Sequence, residues 1–287
     1  MTRIPALALV ALTLLPGRIA VAQVVPAAEA EIRARSATIY ELALRDGSRL
    51  YGEIVSQDDT EVRFRTHGGT LVTIARTEIL SLRPVRGVVA DGEFLPADPN
   101  ATRLFFGPTG RSLKRGQAYL GVYEFLLPFV QVGVTDRFSI GGGTPLFFGA
   151  GESDRPFWIT PKMQVVNRGA TQVAVGAFHG FSGDGGYGGI AYVVGTRGDE
   201  NSSFTAGLGL GYSGSGGRAG VLMLGGESQA RRNMKFITEN YFWQGGHAVV
   251  SGGIRFFGER LSADLALASP VTEGFFVGPL VNFVYIF

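Results

Sequence analysis

Five polar residues in the C-terminal half occupy positions that an alternating chain would bring onto shared surfaces. In "FWITPKMQV" the apolar Phe157, Ile159, Met163 and Val165 alternate with Trp158, Thr160, Lys162 and Gln164. In "LSADLALA" Leu261, Ala263, Leu265 and Leu267 alternate with Ser262, Asp264, Ala266 and Ala268. Residues two apart share a face of a strand, so Lys162, Gln164 and Asp264 stand opposite apolar faces, where water is expected. With Leu265 and Ile254 turned one way, Asp264 and Arg255 turn the other way from neighbouring strands, and Glu239 on the strand before joins them if its register matches. Such charges either pair and fill a narrow interior or line a passage and select solutes. His179 with Ser182 and His247 with Ser251 are the residue types of a hydrolytic pair, but no third, orienting group accompanies either. No HExxH, CxxC, GxSxG or Walker pattern occurs, so no catalytic residue, metal ligand or cofactor is assigned and an enzyme is not expected.

The elements that hold these residues must be strands. Of the 43 glycines, 33 fall in the 171 residues from Gln117 to Phe287. Each glycine inside a helix costs about 1 kcal/mol relative to alanine, so long helices are excluded there. "FTAGLGLGYS" shows the alternative: Phe204, Ala206, Leu208, Leu210 and Tyr212 form a greasy face, and Thr205, Gly207, Gly209, Gly211 and Ser213 a small one. Turn signals split the region into about twelve segments: 117–125, 127–135, 137–146, 156–166, 170–181, 187–197, 203–213, 218–228, 235–243, 247–257, 260–268 and 277–287. Their lengths of roughly nine to eleven residues match a tilted strand crossing a bilayer. The expectation is an all-β protein with an antiparallel transmembrane β-barrel of about twelve strands over 117–287. A charge on the lipid side of such a wall costs about 2–4 kcal/mol at mid-depth, which assigns Lys162, Glu239, Arg255 and Asp264 to the lumen, with Gln164 beside Lys162 on the same face. Pro161 and Pro279 cannot donate to a ladder and are expected at a rim or bulge.

The N-terminal part is built differently. Met1-Thr2-Arg3, the apolar run Ile4 to Leu15 and Ala20-Val21-Ala22 read as a secretory signal peptide over 1–22, followed by a linker over 23–35. From 36 to 86, "TIYELAL", "RLYGEIVSQ", "EVRFRT", "LVTIA" and "EILSLRPV" are short strands separated by Asp46-Gly47, Asp58-Asp59 and Gly68-Gly69. The hairpins "DGSRLYGEI" and "GGTLVTI" resemble those of SH3-like or Sm-like small barrels. That resemblance implies a five-stranded small barrel and, in some members, RNA binding. An exported chain of net charge +2 has no use for nucleic acid, so a spacer or a periplasmic docking module for an envelope partner is expected. Residues 87–116 contain Pro96, Pro99 and Pro108 beside the apolar Leu104-Phe105-Phe106, which suits a linker or a plug.

The chain ends in "VNFVYIF", with Val281, Phe283, Tyr285 and Phe287 on one face. Here it resembles bacterial outer-membrane β-barrel proteins, whose last strand ends in phenylalanine after alternating hydrophobic and aromatic residues. The resemblance implies insertion among outer-membrane lipid by the barrel-assembly machinery, which would read these four residues. It implies a location in a Gram-negative-type outer membrane with the N-terminal module in the periplasm. The function expected is a narrow pore or a structural membrane component. A lipid-acting barrel enzyme, or a scaffold binding envelope partners through the N-terminal module, is the alternative.

Overall fold

A computed structural model describes residues 38–90, 93–146, 155–183, 185–199, 201–271 and 276–287. The expected signal peptide and the linker over 23–35 lie outside the described residues. Within them there is no α-helix, only a turn of 3-10 helix at Arg76–Glu78.

The first five strands are β1 (Ile39–Leu44), β2 (Arg49–Gln57), β3 (Glu61–Thr66), β4 (Leu71–Ala75) and β5 (Ile79–Val85). They form one antiparallel sheet in the order β4-β3-β2-β1-β5. Its bent interior is apolar: Leu42, Val62, Phe64 and Ile74 are buried together, while Arg63 and Arg65 between them are exposed. Asp46 and Asp58 set the turns by accepting backbone N–H bonds from Ser48 and Thr60, both at 2.8 Å. A two-stranded ribbon, β6 (Gly87–Ala90) and β7 (Glu93–Pro96), follows.

The remaining strands are β8 (Ala118–Tyr123), β9 (Leu127–Gly133), β10 (Phe138–Gly143), β11 (Phe157–Ile159), β12 (Lys162–Arg168), β13 (Thr171–Phe181) and β14 (Tyr187–Gly198). They continue as β15 (Ser202–Ser213), β16 (Arg218–Arg231), β17 (Met234–Trp243), β18 (Ala248–Phe257), β19 (Leu261–Val271) and β20 (Gly278–Ile286). Each pairs with the next, except that β11 and β12 both pair with β10 and with β13, and β20 pairs with β8, so the sheet closes. Because β11 and β12 are two halves of one strand, the barrel has twelve antiparallel strands. The break falls at Thr160-Pro161, where proline lacks an N–H. The wall survives there because Pro161 accepts a bond from the Ala177 N–H at 3.0 Å and Thr160 donates to the Gly141 carbonyl at 2.8 Å. Pro279 sits second in β20, opposite Leu267.

The outside of this barrel is apolar in three zones. Phe204, Phe236, Phe256, Tyr285 and Phe287 ring the end where the chain enters, all at least 41% exposed. Val175, Val193, Leu208 and Leu265 cover the middle. At the far end Phe157 stacks on Phe181 at 4.6 Å, and Tyr187 and Tyr212 flank His179. From Phe204 to Tyr212 is about 26 Å along the strand at ~3.3 Å per residue, or roughly 20 Å of height at a ~40° tilt, close to the apolar band of a membrane barrel. The two ends also differ. At the end carrying β1–β5 the turns between strands are short: 134–137, 169–170, 199–201, 232–233 and 258–260. The other end carries the longest connection, 144–156.

Candidate functional site

The inside of the barrel sets buried charged and polar side chains beside apolar clusters, and part of the chain lies in it. Between β7 and β8 the chain enters the lumen from the short-turn end, makes a hairpin and leaves by the same end. Arg103 bridges to Pro108, the Thr109 N–H donates to the Thr102 carbonyl at 3.0 Å, and the Leu104 N–H donates to the Gly107 carbonyl at 2.9 Å. The tip is therefore Phe105-Phe106. Leu104 and Phe105 are fully buried against Ile237 and Ala266, with Leu280 packed beside them. Two glycines make the fit possible. A Cβ on Gly225 of the wall would meet Leu104 Cδ1 at 2.4 Å, and one on Gly110 of the hairpin's return leg would meet the Gln172 carbonyl oxygen at 2.3 Å.

Charge fastens one side of the hairpin. Arg255 and Asp264 are directly opposite in the β18–β19 register, and the Arg255 Nε donates to Asp264 Oδ1 at 2.6 Å. The same guanidinium reaches Asp98 Oδ2 at 2.9 Å, the Asn100 carbonyl at 3.1 Å and the Leu104 carbonyl at 2.6 Å. One fully buried arginine thus holds the hairpin's entering leg by carboxylate and backbone together. Lys235 lies opposite Arg255 on β17 and pairs with Glu227 at 3.1 Å and Asp98 at 3.6 Å. Glu227 also accepts from Arg111 at 2.5 Å, which ties the leaving leg to the same network. Buried pairs of this kind add little net stability, yet removing one partner strands the other and costs about 3–5 kcal/mol.

The opposite wall uses backbone acceptors instead. Lys162 Nζ donates to the Thr102 carbonyl at 3.0 Å and the Thr109 carbonyl at 3.5 Å. Gln164 Nε2 donates to the Gly110 carbonyl at 2.9 Å, and the Gly110 N–H donates to Thr196 Oγ1 at the same distance. Glu239 stands away from the Arg255–Asp264 pair: its carboxylate accepts from the Phe106 N–H at 3.1 Å and from the Tyr241 hydroxyl at 2.8 Å. The register position beside Arg255 that the sequence leaves open for Glu239 belongs to Lys235, four residues earlier on the same face of β17. Face alternation from Glu239 through Ile237 would have found Lys235. Nothing in the spacing of 97–116 points to Asp98 or Arg103 as their partners.

One member of each histidine–serine pair has another partner. His179 Nδ1 shares a hydrogen bond with the Tyr212 hydroxyl at 2.7 Å on the outer face, and Ser251 donates to the Glu239 carbonyl at 2.5 Å. In the last strand Phe283, Tyr285 and Phe287 face outward while Asn282, Val284 and Ile286 face in, and the Phe287 N–H donates to the Ala118 carbonyl at 2.8 Å. Val281 shares the outward face and donates its N–H to Glu124 Oε1 at 3.0 Å.

At the short-turn end Arg83 joins the five-strand sheet to the barrel. It pairs with the buried Glu41 at 2.5 Å and with Glu259 in the β18–β19 turn. Burial pushes the Glu41 carboxyl up, but Arg83, Arg49 and Tyr51 together outweigh it and hold the group below its ordinary range. Glu259 is also held low, chiefly by Arg83.

Fold and site together define a closed twelve-strand antiparallel barrel with an occupied lumen. No family model and no curated protein matches the chain. Among solved structures it is similar to the KdgM porin in complex with disordered oligogalacturonate, at 4% identity and a TM-score of 0.43, covering 59% of this chain and 95% of that one. The NanC porin gives 9% identity and a TM-score of 0.41, covering 59% of this chain and 97% of that one. A loop-deletion mutant of the outer membrane protein OmpT of Vibrio cholerae gives 11% identity and a TM-score of 0.35, covering 88% and 97%. These are likenesses of barrel shape.

Proposed function

We propose that this chain is exported by its N-terminal 22 residues and inserted by the barrel-assembly machinery into an outer membrane, where it acts as a narrow pore held shut by its own hairpin. The observation that carries this reading is the hairpin over Thr102–Thr109, tied to both walls of the lumen by side-chain bonds and connected to the rest of the chain through one end only. A segment held in that way can be withdrawn without breaking a barrel strand. Export to a bilayer is supported by the apolar exterior with its two aromatic bands, and the machinery by the outward row Val281, Phe283, Tyr285 and Phe287. Short turns mark the periplasmic end of such barrels, which supports a periplasmic five-strand sheet, SH3-like in strand order and available to an envelope partner. The refolded protein in planar bilayers is expected to be silent, and a variant with Thr102–Thr109 replaced by a Gly-Ser linker of equal length to conduct in steady steps. A wild-type chain that conducts as freely as the variant, or a correctly folded variant that stays silent, would sink the proposal.

A further inference from the structure

Between the hairpin and the wall of β8, β9, β11, β12, β13 and β14 lies a cavity of about 260 Å³. Its lining is largely aromatic: Phe106 from the hairpin, and Tyr119, Tyr123, Phe129, Trp158 and Tyr192 from the wall. Tyr123 and Phe129 are stacked face to face with centroids 4.0 Å apart, so the rings form an ordered surface and not a loose collection. Two cations adjoin it, and they differ. The Arg103 guanidinium is already engaged: it lies 3.5 Å from Asp264 and over the Tyr123 and Phe129 rings at 5.1 and 5.5 Å. Among the described residues Lys162, 6% exposed, has the two hairpin carbonyls as its hydrogen-bond partners. Among the described residues no carboxylate lies within ion-pair reach of it, and its third N–H has no acceptor.

A buried ammonium without a counter-anion is costly, and an anion placed beside it restores what water supplied. Aromatic faces stack on a flat ring. We propose that this cavity binds a small aromatic carboxylate, its ring against the aromatic wall and its carboxylate on the Lys162 ammonium. At about 30 Å³ per water the space equals roughly nine waters, which sets the ligand at about ten heavy atoms. The same ammonium holds the Thr102 and Thr109 carbonyls, so the ligand and the hairpin share one cation. The site exists whether or not the barrel conducts.

The test uses the full-length protein in detergent micelles, with Trp243→Phe so that Trp158 is the one remaining tryptophan and reports on the cavity. Benzoate is titrated beside benzamide, which keeps the shape without the charge, and acetate, which keeps the charge without the ring. Benzoate is expected to change Trp158 emission saturably with a Kd below about 1 mM. Benzamide, acetate, and benzoate on Lys162→Met with an intact heat-modifiable gel shift should each bind at least about tenfold more weakly. No saturation by benzoate at ~10 mM, equal binding of benzamide or acetate, or full affinity in folded Lys162→Met overturns the proposal. If Lys162→Met does not fold, the three ligands on the otherwise native chain decide it.

Discussion

The five-strand sheet and the twelve-strand barrel use the same period of two and turn it in opposite directions. In the sheet, Val62 and Phe64 are wholly buried while Arg63 and Arg65, which alternate with them, are exposed. In the barrel, Leu208 is 63% exposed and Leu265 50%, while Thr205 and Asp264 on the opposite face are wholly buried. Periodicity decides which side chains share a face, and the surroundings decide which face goes inside. The sheet excludes water from its interior; the barrel excludes it from its exterior and fills its interior with polar bonds. Glycine serves this second arrangement, because Gly225 lets a packed hairpin approach the wall where a side chain would block it.

Three changes sharpen that contrast. The largest effect should come from Arg255→Met, which gives the barrel the apolar interior that suits the sheet and leaves Asp98 and Asp264 without their main partner. A loss of about 3–5 kcal/mol is expected in urea unfolding from micelles, against less than ~0.5 kcal/mol for Arg65→Met on the sheet's surface. Equal effects of the two would mean the lumen is wet enough to solvate stranded carboxylates. Next is the outer face: Leu208→Arg should cost about 2–4 kcal/mol in a bilayer, while Leu80→Arg, at a 66% exposed position of the sheet, should be neutral. Refolding yield into vesicles measures this, and a tolerated Leu208→Arg would contradict a lipid-facing wall. The smallest effect is acid sensitivity. Glu41 and Glu259 are both held below their ordinary value of 4.5, so their contribution is complete above that pH and is lost as the pH falls through the lower, folded value. Glu259 is exposed and screened, so less than about 1 kcal/mol is at stake for its pair. Limited proteolysis between pH 6 and 3 should release the sheet while the barrel's gel shift persists.

Strand number and position were legible because glycine-rich alternation has no competing helical reading. "FTAGLGLGYS" falls within β15, Ser202–Ser213. The limits of β16 were not, since it runs to Arg231 through the polar Gln229 and Arg231, where the pattern that marks a buried face has ended. The facing of Arg255, Asp264, Lys162 and Gln164 could be read from alternation, which is local. Their partners could not: Arg255 meets Asn100 and Leu104 more than 150 residues away in sequence, through backbone carbonyls that any residue possesses. For the same reason the sequence offers linker or plug for 87–116 and no basis for choosing between them.

The hairpin enters and leaves by one end, and β8, which begins directly after it, forms the seam with β20. Synthesis therefore delivers the stopper before the vessel. The ring is sealed where the Phe287 N–H meets the Ala118 carbonyl, and a hairpin joined at one end can take its place inside before or after that closure. A mutation in the hairpin that spoils its fit therefore leaves the backbone bonds of the β20–β8 seam in place and changes only what fills the vessel.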